Sequence, residues 1–236
     1  MAVYLALMVD AVLCELEDVL VETAVLRRRA LQRSLAEDGL TLTDAQFDEH
    51  CAGLPLDASA RAALDTIRAP HDETTVDLLA LRAEREFTSL AAQGIALTPG
   101  AREFVERSQG VVSLALVTRA RRREVQLLLS LANLDSAFEC IVAAEDALQP
   151  KPSPRGHFMA LQRLSRRRPL IAERVVALED SPAGIQAARA AALRCVAVSP
   201  YAWRFAAEAD ACIASIAGQS PATLDALASR REETVG

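Results

Sequence analysis

Six short stretches of the chain are almost continuously apolar. They are A-V-L-C-E-L (11–16), V-V-S-L-A-L-V (111–117), C-I-V-A-A (140–144), R-V-V-A-L-E (174–179), R-C-V-A-V (194–198) and A-C-I-A-S (211–215). Runs of this length without polar alternation are expected of parallel strands covered on both faces. A polar turn and then a 3.6-residue apolar period follow most of them, predicting helices over 121–133, 155–165, 182–192 and 221–230. Strand and helix alternating in this way specify an α/β fold with a Rossmann-like, doubly wound parallel sheet. One interval breaks the pattern. Residues 22–38, 43–52, 57–68 and 73–92 are helical in period and contain no convincing strand. An all-helical cap domain inserted after the first strand is expected, spanning 23–95, with a core domain of 1–22 and 96–236.

Composition narrows the chemistry. The 236 residues carry a net charge of −6 and only 4% aromatic residues, so a nucleic-acid surface or a stacking platform is not expected. The five cysteines are odd in number and widely spaced, which argues against a disulfide framework. Cys14, Cys140, Cys195 and Cys212 sit in apolar runs and read as buried packing residues. The N-terminal M-A-V-Y-L-A-L-M-V-D lacks a basic start, and no apolar run approaches the roughly 20 residues that span a bilayer. A cytoplasmic protein with no membrane partner, monomeric or weakly dimeric, is the expectation, and the tail 232–236 is expected to fray. Of the 26 Lys and Arg residues 25 are arginine. The single lysine, Lys151, lies in the turn Q-P-K-P-S-P (149–154). Chance accounts for one lysine on a loop; so does a narrow pocket that needs a compact ammonium rather than a planar guanidinium.

In a parallel sheet, ligands bind beyond the carboxyl ends of the strands. There the first run delivers Glu15 and, two residues on, Glu17, with Asp18 next. The second ends at Thr118 and Arg119, Lys151 follows the third, and the fourth ends in Glu179-Asp180-Ser181. Taken singly, Glu17-Asp18 also reads as a solvated turn and Glu179-Asp180-Ser181 as a helix N-cap with its acid. Together they form an acidic crevice that calls for a cation, and an all-oxygen set suits Mg²⁺. Thr118 and Lys151 add a hydroxyl and a positive charge for a phosphate, completing a phosphoryl-transfer set.

K-P-S-P (151–154), R-V-V-A-L-E-D-S-P-A-G-I-Q-A-A-R-A-A (174–191), L-T-P-G (97–100) and L-A-L-V-T (114–118) together resemble the haloacid dehalogenase-like phosphohydrolases. The similarity is to the branch of β-phosphoglucomutase and phosphoglycolate phosphatase, and it runs from about Ala11 to Ala214. The resemblance implies a Mg²⁺-dependent phosphatase of a small phosphorylated metabolite. Glu15 stands at the nucleophile's position, Glu17 at that of the general acid/base, Thr118, Arg119 and Lys151 at the phosphate. The metal falls to Glu15, Asp180 and the main chain of Glu17, with Glu179 in or beside its shell. The first motif departs from the family's pattern: C-E-L-E-D-V-L-V-E-T (14–23) carries Glu for Asp at 15, 17 and 22, and Asp18 for a glycine at a place that favours positive φ. One extra methylene moves a carboxylate by about 1.3 Å, and misplacement of about 1 Å can cost a hundredfold in rate. Low turnover is therefore expected. The alternatives are a catalytically impaired relative that binds a phosphate ligand or a protein partner, and a sugar phosphomutase; dehalogenation fits less well, because Glu17 and the Glu179-Asp180 pair are kept.

Overall fold

The structure, a computed structural model, describes residues 9–200, 204 and 206–229. The N-terminal eight residues and the 232–236 tail lie outside the described set. Within it the chain forms two compact units: one from the residues up to Val21 with those from Ala96 onward, the other Glu22–Ile95.

The first unit contains a six-stranded sheet. Its strands are β1 (Ala11–Cys14), β4 (Ser113–Val117), β5 (Cys140–Val142), β6 (Val175–Glu179), β7 (Arg194–Val198) and β8 (Ala211–Ile213). All neighbours are parallel and the order is β5-β4-β1-β6-β7-β8, so the chain reverses direction across the sheet at β1. That reversal opens a crevice at the carboxyl edge. Two connecting strands, β2 (Val21–Glu22) and β3 (Ala96–Leu97), pair as a short ribbon. The helices are α5 (Ala101–Ser108), α6 (Arg122–Ala132), α7 (Arg155–Ser165), α8 (Pro182–Ala190) and α9 (Pro221–Ser229). Odd-numbered residues of β1, β4, β6 and β7 pack with Ala160 and Leu164 of α7 and with Ile185 and Ala188 of α8. Their even neighbours, such as Val12, Leu116, Leu178 and Val196, are equally buried on the other face. Both faces are covered, which is why the strands read as unbroken apolar runs.

Strands β1, β5 and β8 end earlier than their apolar runs and β4 begins later; at β1 and β4 local turns capture the backbone. β1 stops at Cys14, since Leu20 and Val21 both donate their amides to the Leu16 carbonyl and fold the chain back. Asp18 sits in that turn at φ 56°, the left-handed region where glycine is favoured and aspartate tolerated. β4 begins at Ser113, since Val111 and Val112 still donate to Ser108 and close α5. Helix α5 went unread in the sequence. Its N-cap Gly100 has φ 82°, and a Cβ there would lie 2.8 Å from the backbone nitrogen of Ala217. Cys14, Cys140 and Cys195 are buried as expected, whereas Cys212 on the edge strand β8 is only half-buried.

The second unit holds α1 (Ala24–Ala36), α2 (Asp44–His50), α3 (Leu56–Thr66) and α4 (Glu73–Gln93). Thr43 and Gln46 form a reciprocal capping box on α2, and Asp72 caps α4 through the Thr75 amide. Leu31, Leu35, Phe47, Leu64, Val76 and Leu79 form its core. No helix among the described residues is long and apolar enough to cross a membrane.

Candidate functional site

β1 lies between β4 and β6, with Cys14 level with Leu116 on one side and Leu178 on the other. Glu15 continues the ladder by one bond, its amide donating to the Leu178 carbonyl at 2.9 Å. The register therefore brings Glu15, Val117 and Glu179 to one level. Side chains alternate along strands, so these three share the face that packs on α7 and α8. Two carboxylates on adjacent strands repel unless a cation lies between them.

Lys151 is that cation. From the loop between β5 and α7, its Nζ donates to Glu15 Oε2 at 2.7 Å, to the Val117 carbonyl at 2.9 Å and to both oxygens of Glu179 at 2.7 Å. An ammonium has three donors, and these three groups engage them all. The side chains of Lys151 and Glu15 are 5% exposed and that of Glu179 is 1% exposed. Burial alone disfavours the charged ammonium, but the neighbouring charges of Glu15 and Glu179 outweigh it and hold Lys151 above its ordinary value. Burial likewise pushes Glu179 up; the Lys151 charge and a hydrogen bond from His157 overcome it, so Glu179 stays ionised. Glu15 Oε1 accepts the Leu16 amide at 2.8 Å, which fixes the second carboxylate.

The remaining expected residues surround this network unevenly. Thr118 is buried just past β4, its amide donating to Val142 and its Oγ1 accepting from the Ala120 amide at 3.1 Å. Accepting that bond leaves the hydroxyl its own proton to donate. Arg119 is half-buried beside it. Glu17 follows Glu15 by two residues, a spacing that puts both carboxylates on one side of a strand that continues. The strand has ended by then, and Glu17 lies half-buried on the turn, bridged to Val21. Asp180, half-buried at the end of β6, has its carboxyl pushed well above the usual range by burial and by the charges of Glu15, Asp18 and Glu179. Lys151 opposes that shift without cancelling it. Among the described residues, no three His, Cys, Asp or Glu side chains group to hold a metal ion by themselves.

Two features escaped the sequence reading. His157, on the first turn of α7, is fully buried with Nε2 3.0 Å from Glu179 Oε1. A signal was present: Gly156, His157, Ala160 and Leu164 are the buried residues of α7, so the helical period puts a polar side chain on the apolar stripe. The second is Gly184. Ser181 caps α8 by accepting the Gly184 amide at 3.3 Å, and Glu179 folds over the glycine. A Cβ at position 184 would lie 2.7 Å from Glu179 Cδ and collide with Oε2.

Comparison with known proteins places this arrangement. The family model for haloacid dehalogenase-like hydrolases matches residues 12–198. The protein CbbY of Cereibacter sphaeroides is 31% identical over 208 residues, covering 82% of this chain and 85% of that protein. A phosphorylated carbohydrates phosphatase of Thermotoga maritima is 24% identical over 185 residues, covering 78% of this chain and 82% of that one. A crystal structure of a CbbY variant from Rhodobacter sphaeroides in complex with xylulose-1,5-bisphosphate superposes with a TM-score of 0.78 at 27% identity, covering 92% of this chain and 99% of that chain. The chain belongs to the haloacid dehalogenase-like hydrolase family.

Proposed function

We propose that the chain hydrolyses the phosphate ester of a small phosphorylated metabolite, a sugar phosphate by its kinship. The observation that carries this reading is the buried Glu15–Lys151–Glu179 network at the carboxyl edge, beside Thr118, where the strand order reverses. The relatives act on or bind phosphorylated sugars, which supports the substrate class. In the proposed reaction Glu15 attacks phosphorus and the ester oxygen leaves, taking a proton from Glu17. An acyl-phosphate remains on Glu15; water, deprotonated by Glu17, attacks its phosphorus and releases inorganic phosphate. Lys151 aligns Glu15 and supplies fixed positive charge, while the Thr118 hydroxyl and Arg119 face the phosphate.

The residues fit Mg²⁺ in chemistry and in charge. Glu15, Asp180 and the Glu17 carbonyl are hard oxygen donors. Burial first, and then the charges of Glu15, Asp18 and Glu179, raise the Asp180 carboxyl, and Lys151 does not cancel the shift. The three donors would hold the ion, with Glu179 beside the set, engaged by Lys151 through both oxygens and by His157. When bound, Mg²⁺ offsets the charge of the phosphate.

A second reading, that the site binds without turnover, is favoured by the closed donor set of Lys151 and by the two longer acids. Release of inorganic phosphate from a panel of pentose and hexose mono- and bisphosphates, with Mg²⁺ and with EDTA, separates the two. Weak Mg²⁺-dependent release is expected. Joint Glu15→Asp and Glu17→Asp changes are expected to raise it on the order of tenfold or more, with each alone gaining little. No release from either protein on any ester leaves the binding reading.

A further inference from the structure

We propose that His157 is a positioning residue: it sets the rotation of the Glu179 carboxylate and, through it, the direction in which Lys151 meets Glu15. The proposal deepens the hydrolase reading and rests on it for the roles of Glu15 and Lys151.

A carboxylate at the end of a glutamate side chain turns about a broad torsion that no rotamer well fixes. Lys151 touches both oxygens of Glu179 at the same 2.7 Å, and a compact ammonium imposes no plane. The asymmetry comes from elsewhere. The Oε2 side is confined over Gly184, where there is no Cβ to keep it out. The Oε1 side faces Nε2 of His157, a planar ring on a helix packed against the sheet. Glycine on one side and imidazole on the other leave the carboxylate a single orientation.

The imidazole is held at a cost that packing does not explain. His157 is 0% exposed, and its Nδ1 is buried with no hydrogen-bond partner. A buried polar atom without a partner is unfavourable, and phenylalanine would fill a similar space without it. Nε2 faces a carboxylate, which only accepts, so Nε2 is the nitrogen that donates.

The single lysine gives a direct test. Selective ¹⁵Nζ labelling of lysine yields one side-chain ammonium resonance, that of Lys151. In the wild type a slowly exchanging, observable signal is expected. His157→Phe keeps the volume and removes the donor, so the signal should shift or broaden away. His157→Gln offers an amide N–H to Glu179 and should restore it. An unchanged signal in His157→Phe overturns the proposal, as does equal loss in both variants, which marks a packing role. Should the phenylalanine variant not fold, the ring nitrogens of the wild type decide: a proton on Nε2 is expected, and one on Nδ1 alone overturns the assignment. In phosphate release, kcat of His157→Phe should fall on the order of tenfold with KM little changed. An absence of turnover in the wild type defeats the hydrolase reading and leaves the spectroscopic result standing.

Discussion

In the helical unit, Arg33 and Glu86 approach to 3.3 Å with side chains 57% and 32% exposed; in the sheet unit, Lys151 reaches Glu15 and Glu179 at 2.7 Å with none of the three more than 5% exposed. The two arrangements use the same charges to different ends. At the surface water already solvates each partner, so pairing changes little. In the interior each ion has lost its hydration, and the network persists only because every charge has a partner. Burial therefore converts an ion pair from decoration into a constraint, and the constraint holds Glu15 in place.

The largest effect should come from breaking the buried network. Lys151→Ala leaves two desolvated carboxylates with no cation between them, and removal of one partner of a buried pair typically costs about 3–5 kcal/mol. Urea denaturation is expected to show a loss of that size. Lys151→Arg should recover only part of it, since a guanidinium is too wide for a slot closed by Glu15, Glu179 and the Val117 carbonyl. A loss below about 1 kcal/mol for alanine would put the buried cluster on the same footing as the surface pairs.

That network was half legible in the sequence. Lys151 stood out because arginine had replaced lysine everywhere else, and Glu15 and Glu179 because each closes an apolar run. The strands were legible for the same reason that they are stable: burial on both faces leaves no polar alternation. The end of β1 was not, because the turn that stops it depends on the Leu16 carbonyl taking two amides, a bond pattern that apolarity does not encode. The same turn carries Glu17 past the end of the strand, where two-residue alternation no longer fixes which way a side chain points. His157 was missed because its partner lies 22 residues away and on another element. A histidine on an apolar stripe marks a polar partner across the interface without naming it.

Gly184→Ala sharpens the comparison without touching a charge. The added methyl collides with the Glu179 carboxylate, which must turn away from Lys151. Overpacking of this kind costs roughly 1–3 kcal/mol, and phosphate release should fall with it while the helical content by circular dichroism is kept. Full activity and unchanged stability would mean that Glu179 has room to move.

Asp180 probes the net charge of the site. Its folded-state carboxyl titrates above the ordinary 3.8 because burial and the charges of Glu15, Asp18 and Glu179 oppose ionisation. Ionisation is thus harder in the folded protein than in the unfolded chain. The stability associated with this group is complete below pH 3.8 and declines as pH rises from there toward the folded value. Asp180→Asn removes the decline, so in EDTA its melting temperature at neutral pH should exceed that of the wild type. Added Mg²⁺ should stabilise the wild type and leave the asparagine variant unmoved. Equal stabilisation of both would remove Asp180 from the proposed metal set.

The smallest effect belongs to the surface. Arg33→Ala removes the Arg33–Glu86 contact within the helical unit, where both partners remain open to water once parted. Exposed pairs of this geometry contribute about 0.2–1 kcal/mol. Alanine also favours the helix slightly more than arginine at a position inside α1. The two effects oppose each other, so the unfolding free energy from urea denaturation should change by less than about 0.5 kcal/mol in either direction. Raising the salt concentration should shrink even that difference, because exposed charges are screened over about 8–10 Å at physiological ionic strength. The Lys151→Ala loss should stay nearly constant over the same salt range, since its partners are shielded from the solution. Equal salt sensitivity of the two variants would mean that water reaches the strand-end network, and that its carboxylates are not held by burial.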